Sequence, residues 1–491
     1  MAEATTSKFT WFLGVSTLMV ALIFAIMLKG NIVVAAILGF LIILFFSYHL
    51  EIGLYVLLIL YPLIGWEFHA NMFRGLLGSS STVLEFYAPM VDVWALLMVG
   101  AYVFYLIRKW LYGEKHRIYL PEFGWYSLFI ISAVLSLINV AGWELQTSVS
   151  YIVRFLLFVY LAYVVLGTNI MRTKKILHRA LEVVVWISVL GALLGLLSFA
   201  IGPGRGVMRA VPIPVFGWQP FNYDMVSGHI LLAEVLVVAF PIAIYLALRA
   251  KTDAQKIAYT IASAICGITA FLTFSRASWL TLMVQGMLAL YIFRSQIKWT
   301  KIRGYFFTSL LFLIPAGAYM ALLLQSAVVS SSNSTRITLT EVAWSFFLEH
   351  PLVGQGAGTF VERLRDIHYF TYEFGAPIDA HSILMKILAE QGILGIVTFG
   401  LFIGLLLFSI YKRTIAKEYS AEARGVAQLC LFLIIVPLFF QMFNTQYYSA
   451  RMWVPFMLAI AAHLLYRHEH EGDAFYTHFR PNKYKIDTDV T

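Results

Sequence analysis

The chain has 491 residues, of which 60% are hydrophobic and only 12% are charged, and its mean hydropathy is +0.80. This balance excludes an ordinary soluble globular domain and indicates a polytopic membrane protein. A formal charge of +9 would suggest a nucleic-acid partner in a soluble protein. Here the cations cluster in short loops between apolar runs, so we interpret them as determinants of membrane orientation.

We predict an all-α bundle of twelve to fourteen transmembrane helices, because a bilayer core needs about 20 apolar residues in a helix. The first apolar run is read as a retained helix, since it lacks a small-residue cleavage site and another span follows at once. The predicted spans are 10–28, 31–47, 50–66, 89–107, 122–140, 148–167, 180–201, 228–248, 258–274, 276–293, 304–325, 384–410, 425–445 and 448–466.

These spans predict one membrane domain over residues 1–466, followed by a polar tail over 467–491. The tail holds His468, His470 and His478, for which a solvated end is a simpler interpretation than a metal site. Cys266 and Cys430 lie inside apolar runs, which argues against a disulfide framework or a thiolate metal site. We therefore expect no cofactor and no metal.

The short loops predict the orientation of the bundle. More than half of the 35 Lys and Arg residues fall in loops that share one side of a fourteen-span count. Basic loops mark the cytoplasmic side, so both termini are expected in the cytoplasm. The long polar interval 326–383 then faces the exterior, and we expect the functional site of the protein in this loop.

Arginines on the outer side run against this bias and need another reason to be there. The predicted topology places eight of them outside: Arg74, Arg205, Arg209, Arg276, Arg336, Arg363, Arg365 and Arg451. Arg276 is the most informative, because it sits in FLTFSRASWLTL between two apolar runs with no real loop. A charge at the membrane boundary marks a functional site by default, although a guanidinium that snorkels to the headgroups is the alternative.

The outer loop begins with a predicted surface helix and a glycine-rich turn. Arg336 follows the run SSSNST and opens an amphipathic pattern that ends before Pro351. We expect its apolar face, lying along the outer membrane surface, to be Ile337, Val342, Ala343, Trp344, Phe346 and Phe347. Gly354, Gly356 and Gly358 follow at alternate positions, and their backbone N–H groups could approach an anion. No Walker motif accompanies them.

The loop ends at His381, which stands at the mouth of the next predicted span after Asp379 and Ala380. A helix N-terminus favours the neutral imidazole and hence a competent base, whereas Asp379 would oppose that effect and could orient the ring. A polar residue that caps the helix is the alternative. Lys386 and Glu390 are four residues apart, so we expect a structural pair on one face.

Together these segments resemble the O-antigen ligase and polymerase superfamily. The resemblance rests on SRASWL, then on a serine- and asparagine-rich approach to an arginine, then on WSFFLEHPLVGQGAGTF and HSILMKILAEQGILGIVTFG, in this order around one large loop. It covers roughly residues 205–410.

The resemblance implies a membrane glycosyltransferase of the GT-C type in surface polysaccharide biosynthesis. Such an enzyme takes a glycan from undecaprenyl pyrophosphate at the outer face of the bacterial cytoplasmic membrane, without a metal and with inversion. Its functional positions fall on His381 as general base and on Arg276 and Arg336 as pyrophosphate ligands. Arg205 and Arg209 are weaker candidates, and Asp379, Gly354, Gly356 and Gly358 are supporting residues.

Several alternatives stay open at this point. The acceptor could be a second lipid-linked repeat, which defines a polymerase, or lipid A core, a wall polymer or a protein, which defines a ligase. A deletion strain would separate these, since a lost ligase strands long chains on the lipid carrier. A flippase or other multi-span transporter would need polar residues along several spans and commonly shows internal repeats, which this sequence lacks. A scaffolding protein would leave the outer arginines and His381 unexplained.

Overall fold

The architecture comes from a computed structural model, and the account below concerns the residues that it describes. They are 32–62, 67–71, 85–114, 116, 118–142, 144–201, 225–273, 275–293, 327–365, 367, 370, 372, 377–416, 418–445 and 447–471. The predicted spans 10–28 and 304–325, together with Arg74, Arg205, Arg209, His478 and most of the tail, lie outside these residues.

The described chain is an assembly of long α-helices, which confirms the predicted fold class. In chain order they are α1 Ile32–Tyr48, α2 Leu50–Leu60, α3 Met90–Leu111, α4 Phe123–Ser136, α5 Glu144–Ile170, α6 Lys174–Ile201, α7 Met225–Arg249, α8 Asp253–Leu272, α9 Arg276–Phe293, α10 Ala327–Glu349, α11 Phe360–Leu364, α12 Ile383–Ile415, α13 Ala421–Gln441 and α14 Ala450–Glu471. Within α5, the stretches Ile152–Phe158 and Tyr160–Val165 are π-helical.

A short antiparallel hairpin interrupts the helices. Strand β1, Glu67–Asn71, pairs with β2, Glu85–Pro89, with His69 opposite Tyr87 at the centre of the register. The sequence predicted no strand in this interval. Two five-residue strands change little in an otherwise helical molecule, because the bundle supplies the core.

Eight described helices are long and apolar enough to cross a membrane, and nine are if one bent pair counts as a single span. The chain is therefore an integral membrane protein. The bent pair is α1 with α2, whose axes differ by 118° across His49. With 11 residues, α2 is about 16 Å long and too short to cross a ~30 Å core. The predicted spans 31–47 and 50–66 are therefore not two separate crossings in this structure.

Two hydrophobic cores hold the described helices together. The large one runs through the bundle and includes fully buried aromatic side chains such as Tyr126, Phe129 and Trp453. A second, smaller core lies beneath the loop before α12, where α10 packs against the first turns of α12 through Leu339, Ala343 and Ala389. This second core fixes the loop on the bundle end where α12 begins, and so it positions the candidate site.

Candidate functional site

Helix α10 confirms the predicted helix, although it begins at Ala327 rather than at Arg336. The serine- and asparagine-rich run is therefore its first turns. Leu339 and Ala343 are buried in the small core, whereas Ile337 and Trp344 of the expected apolar face are 60% and 48% exposed. The buried stripe thus faces α12, because Leu339 and Ala343 are four residues apart on one face.

Arg276 is the first residue of α9 and contacts α10 directly. Its Nη1 donates a hydrogen bond to the side-chain oxygen of Asn333, one turn before Arg336. The guanidinium is half-buried at a helix junction. A bundle helix and the segment before α12 thus meet at this arginine.

Arg336 is also half-buried, and within the described part of the chain its guanidinium forms no hydrogen bond or ion pair. Burial and the nearby charge of Arg276 lower the pKa of Arg336. Arg276 and Arg336 repel each other, and both side chains are partly removed from water. An anion bound between them would remove the repulsion, so the pair forms a strong anion-binding arrangement.

His381 lies beside Arg336. Burial and the charge of Arg336 lower the pKa of His381, while Asp379 acts in the opposite direction. The neutral imidazole predicted from the sequence is therefore favoured, but for a different reason. Helix α12 begins at Ile383 with Ser382 at its N-cap, so His381 precedes the helix and is not in its first turn.

The backbone of His381 is in the left-handed region, with φ of +53°. A non-glycine residue there costs about 1–3 kcal/mol and persists only where the surroundings enforce it. The ring forms no hydrogen bond to the residues that the structure describes. A half-buried, unpaired imidazole held in a strained backbone conformation is typical of a functional residue.

An ionic clamp holds the segment that carries His381. Lys386 donates to both carboxylate oxygens of Asp379 at 2.8 Å, and the Tyr448 hydroxyl donates to one of them at 3.4 Å. Lys386 also lies 3.8 Å from Glu390, the predicted structural pair. Asp379 thus bonds to Lys386, so its effect on His381 in the structure is electrostatic.

The glycine-rich turn packs closely against α12 and α5. A Cβ atom added to Gly354 would lie 2.3 Å from the Gln391 nitrogen, and one on Gly358 would lie 2.5 Å from the Tyr151 ring. The turn's N–H groups bond within the protein: Gly354 donates to the His350 carbonyl and Gly356 to the Glu390 carbonyl. Because these N–H groups already form hydrogen bonds inside the protein, they cannot form the anion-binding nest that the sequence suggested. The supporting role of the glycines stays a proposal.

Three other arginines that the predicted topology places outside have protein partners that explain them. Arg363 donates to Gln355 and to the Asn139 carbonyl, and Arg365 pairs with Glu362. Arg451, only 2% exposed, pairs with the fully buried Glu234 at 3.0 Å. The positive-inside argument selected these arginines together with Arg276 and Arg336, and only the contacts separate the two groups.

Sequence reasoning missed the Asn333 contact and the Lys386 bridge to Asp379, because both depend on how the loop folds back on the bundle. It also missed Arg154, which lies in the middle of candidate span α5. The sequence signal that could have identified Arg154 is a charged residue inside an apolar run. Among the residues described, no cluster of three or more His, Cys, Asp or Glu side chains is placed to hold a metal ion.

Comparison with known proteins places a family segment over this site. Residues 261–400 match the family model described as O-antigen ligase. The segment contains Arg276, Arg336 and His381, whereas Arg205 and Arg209 precede it. A search of curated proteins finds no significant match to the chain. The family match confirms the resemblance noted from the sequence and supports a function of the O-antigen ligase or polymerase type in polysaccharide biosynthesis.

Proposed function

We propose, from the premise that residues 261–400 form an O-antigen ligase segment, that this membrane protein is an inverting, metal-independent glycosyltransferase. It moves a glycan from undecaprenyl pyrophosphate to an acceptor hydroxyl at the outer face of the cytoplasmic membrane. The acceptor is a growing glycan in a polymerase, or a lipid or wall polymer in a ligase.

The observation that carries the proposal is the approach of Arg276 and Arg336. Each is half-buried, and the charge of Arg276 lowers the pKa of Arg336. A pyrophosphate between them removes the repulsion and receives the paired N–H donors of a guanidinium fork. The site therefore suits a lipid pyrophosphate in both charge and position, because it lies at the end of the bundle.

The reaction follows from this arrangement. The acceptor oxygen attacks the anomeric carbon, the bond from that carbon to the pyrophosphate oxygen breaks, and the electron pair leaves with undecaprenyl pyrophosphate. The arginines stabilise the leaving group's charge, which is the duty that a metal ion performs in other transferases. One direct displacement inverts the anomeric configuration.

His381 takes the proton of the acceptor hydroxyl on an imidazole nitrogen. Its lowered pKa keeps the ring neutral at physiological pH, and its side chain lies near Arg336. A base must be unprotonated before the step, so the same Arg336 charge that binds the leaving group also keeps the base ready.

An apolar groove supports a lipid-linked donor. It has a volume of about 250 Å³ and lies between α9 and α12, lined by side chains such as Leu288, Ile292 and Phe408. The helix α9 runs from Arg276 to this groove, and Tyr291 lies about 22 Å along it at 1.5 Å per residue. A polyprenyl chain whose pyrophosphate sits at Arg276 can follow α9 into the groove.

The test uses purified protein with the strain's own undecaprenyl-pyrophosphate-linked repeat, and follows the release of undecaprenyl pyrophosphate coupled to glycan transfer. His381→Ala should reduce the rate by at least about 100-fold because the base is lost. Arg276→Lys and Arg336→Lys should each reduce it by about tenfold or more, since a lysine cannot form the bidentate contact.

Two matched variants serve as controls for that assay. His178→Ala and Arg365→Lys change the same residue types at exposed positions outside the proposed site. The side chains of His178 and Arg365 are 49% and 60% exposed. Both should retain the rate of the unmodified protein. Full activity in His381→Ala would contradict the assigned base, and unaltered turnover in both lysine variants would contradict the arginine site.

A further inference from the structure

A second candidate site lies beside the segment that carries Asp379 and His381. It is a cavity of about 530 Å³, within the ~300–1,000 Å³ typical of small-ligand sites. One wall is the first half of α5. The opposite wall comes from Gly358, Val361, Asp379, Lys386 and Tyr448. The proposed reaction has not used this cavity.

The α5 wall carries a polar stripe. Gln146, Ser150 and Arg154 are spaced four residues apart, so they lie above one another on one helix face. Thr147 and Tyr151 line the cavity beside them. An amide, a hydroxyl and a guanidinium thus share one face of a candidate span and line the cavity, and polar groups in such helices normally face protein or a polar ligand.

The backbone of α5 is unusual at the same place. Residues Ile152–Phe158 are π-helical, and Arg154 lies inside this stretch. Single π-helical turns occur frequently at functional sites, because the wider turn re-aims side chains. The charge and the irregular backbone are independent observations, and they coincide on the cavity wall.

The cavity has an aromatic side that joins its two walls. The ring of Phe155, on α5, lies 4.8 Å from the ring of Tyr448, and Lys386 lies 5.3 Å from the Tyr448 ring. Apolar ring faces beside hydroxyl, amide and charged groups suit a sugar, whose C–H faces stack while its hydroxyls form hydrogen bonds.

The cavity borders the segment that carries the base. Asp379 lines it, and the charge of Asp379 acts on His381 two residues later. The proposed donor occupies other elements, with its pyrophosphate at Arg276 and Arg336 and its lipid along α9. A sugar in the cavity therefore approaches His381 from a different element, α5, which is the geometry that an acceptor hydroxyl requires.

We propose that this cavity binds the acceptor sugar, with Arg154, Ser150 and Gln146 holding its oxygen atoms and Tyr448 packing against its ring. The proposal rests on the proposed function for its description of the ligand as an acceptor. Lys386 and Asp379 line the cavity, and Asp379 belongs to the segment that carries His381.

The experiment measures binding of a defined oligosaccharide to the full chain in detergent. The probe is the repeat-unit oligosaccharide released from the producing strain's own polysaccharide, followed by saturation-transfer NMR. Saturating undecaprenyl pyrophosphate is present, so that the donor position is occupied. Ser150→Trp, which fills the cavity, should raise the Kd at least tenfold, and Arg154→Gln should raise it about fivefold.

The matched control is Val149→Trp, one residue away on the same helix, 43% exposed and outside the cavity lining. It should leave the Kd unchanged, because the substitution leaves the cavity lining intact. An unchanged Kd in both Ser150→Trp and Arg154→Gln would overturn the subsite. So would loss of undecaprenyl pyrophosphate binding in Ser150→Trp, which would assign the cavity to the donor.

The two proposals fail separately. If the cavity variants transfer glycan normally while His381→Ala does not, the transferase stands and the acceptor subsite is wrong. If the unmodified protein binds the oligosaccharide through the cavity but transfers nothing from the lipid carrier, the site is a sugar site and the transferase is wrong.

Discussion

His381 and Arg336 form one electrostatic unit. Burial of the ring lowers the pKa of His381 below its ordinary value of about 6.5, and the charge of Arg336 acts in the same direction. The favoured state is a neutral imidazole beside the Arg336 cation. A bound pyrophosphate would cancel part of that positive charge, so the free protein has the stronger bias toward the neutral base.

The pH dependence of the reaction should report this coupling. A base works when unprotonated, so kcat/KM should fall as pH drops through the pKa of His381, on an acid limb centred below about 6.5. Arg336→Gln removes a cation near the ring, which makes the imidazolium easier to form. Its normalised profile should show the acid limb moved to higher pH.

The control variant for the acid limb of the kcat/KM profile is Arg365→Gln, because Arg365 pairs with Glu362 and is 60% exposed. Its profile should coincide with that of the unmodified protein. A limb that stays in place, or moves to lower pH, in Arg336→Gln would show that the arginine does not act on the base.

At the residue level, the sequence could identify charges in unusual places but could not identify their partners. Arg336 and Arg451 both stood out as outer arginines, yet Arg451 is buried against Glu234 from α7. An ion pair between residues so far apart in the chain depends on how α7 and α14 pack, which periodicity does not encode. Asn333 was visible only as part of a polar run, because its role depends on α10 lying beside Arg276.

At the scale of elements, the glycine-rich turn is joined to a break in α12. Gly392 has φ of +61° and ψ of −157°, in a region that essentially only glycine adopts. The backbone of the glycine-rich turn forms hydrogen bonds with the backbone groups of α12 that lose their helical partners at this break. Gln355 donates to the Ala389 carbonyl at 2.9 Å, and Ile393 donates to the Pro351 carbonyl at 2.9 Å. The loop and the helix are thus joined through backbone hydrogen bonds, which fixes the loop that delivers His381.

Gly392→Ala should separate the turn from the helix. The added Cβ would lie 2.6 Å from the Leu352 carbonyl and 2.7 Å from the Gly354 nitrogen, and backbone atoms cannot move aside cheaply. We expect a destabilisation of about 2 kcal/mol or more from strain and contact together. Thermal unfolding in detergent should show a lower Tm, and glycan transfer should fall with it.

Gly400→Ala is the control on the same helix, because a Cβ there meets nothing within 4 Å. Its Tm should stay equal or rise, since alanine favours a helix by about 1 kcal/mol over glycine. Equal Tm values in the two variants would contradict the joined turn. The sequence predicted α12 as one uninterrupted span over 384–410, because an isolated glycine in an apolar run does not reveal its φ.

At the scale of the molecule, the site lies where the two cores meet. The bundle supplies Arg276 and the wall of the cavity, the loop supplies Arg336 and His381, and the small core of Leu339, Ala343 and Ala389 joins them. The sequence predicted the bundle well, because apolar runs of bilayer length leave few alternatives. It could not predict the bend at His49 or the hairpin, since a gap between apolar runs shows neither the angle between two helices nor the pairing of two strands.

The proposed reaction requires the site to face the exterior, and single cysteines can test that orientation. The part of α12 after Gly392 has 23 residues, about 35 Å at 1.5 Å per residue, enough to cross a ~30 Å core. The positions of Tyr372, 91% exposed, and Glu418 are therefore expected on opposite sides. The native Cys266 and Cys430 are buried, so they should give little background.

In intact spheroplasts, a membrane-impermeant maleimide should label Tyr372→Cys and spare Glu418→Cys. Permeabilisation should make both positions react, which checks that Glu418→Cys is accessible at all. The Lys and Arg residues near Glu418 are the physical reason for its cytoplasmic side, because cations are retained there. Labelling of Glu418→Cys alone in intact cells would place the arginines and His381 on the cytoplasmic face, where an extracytoplasmic glycan transfer cannot occur.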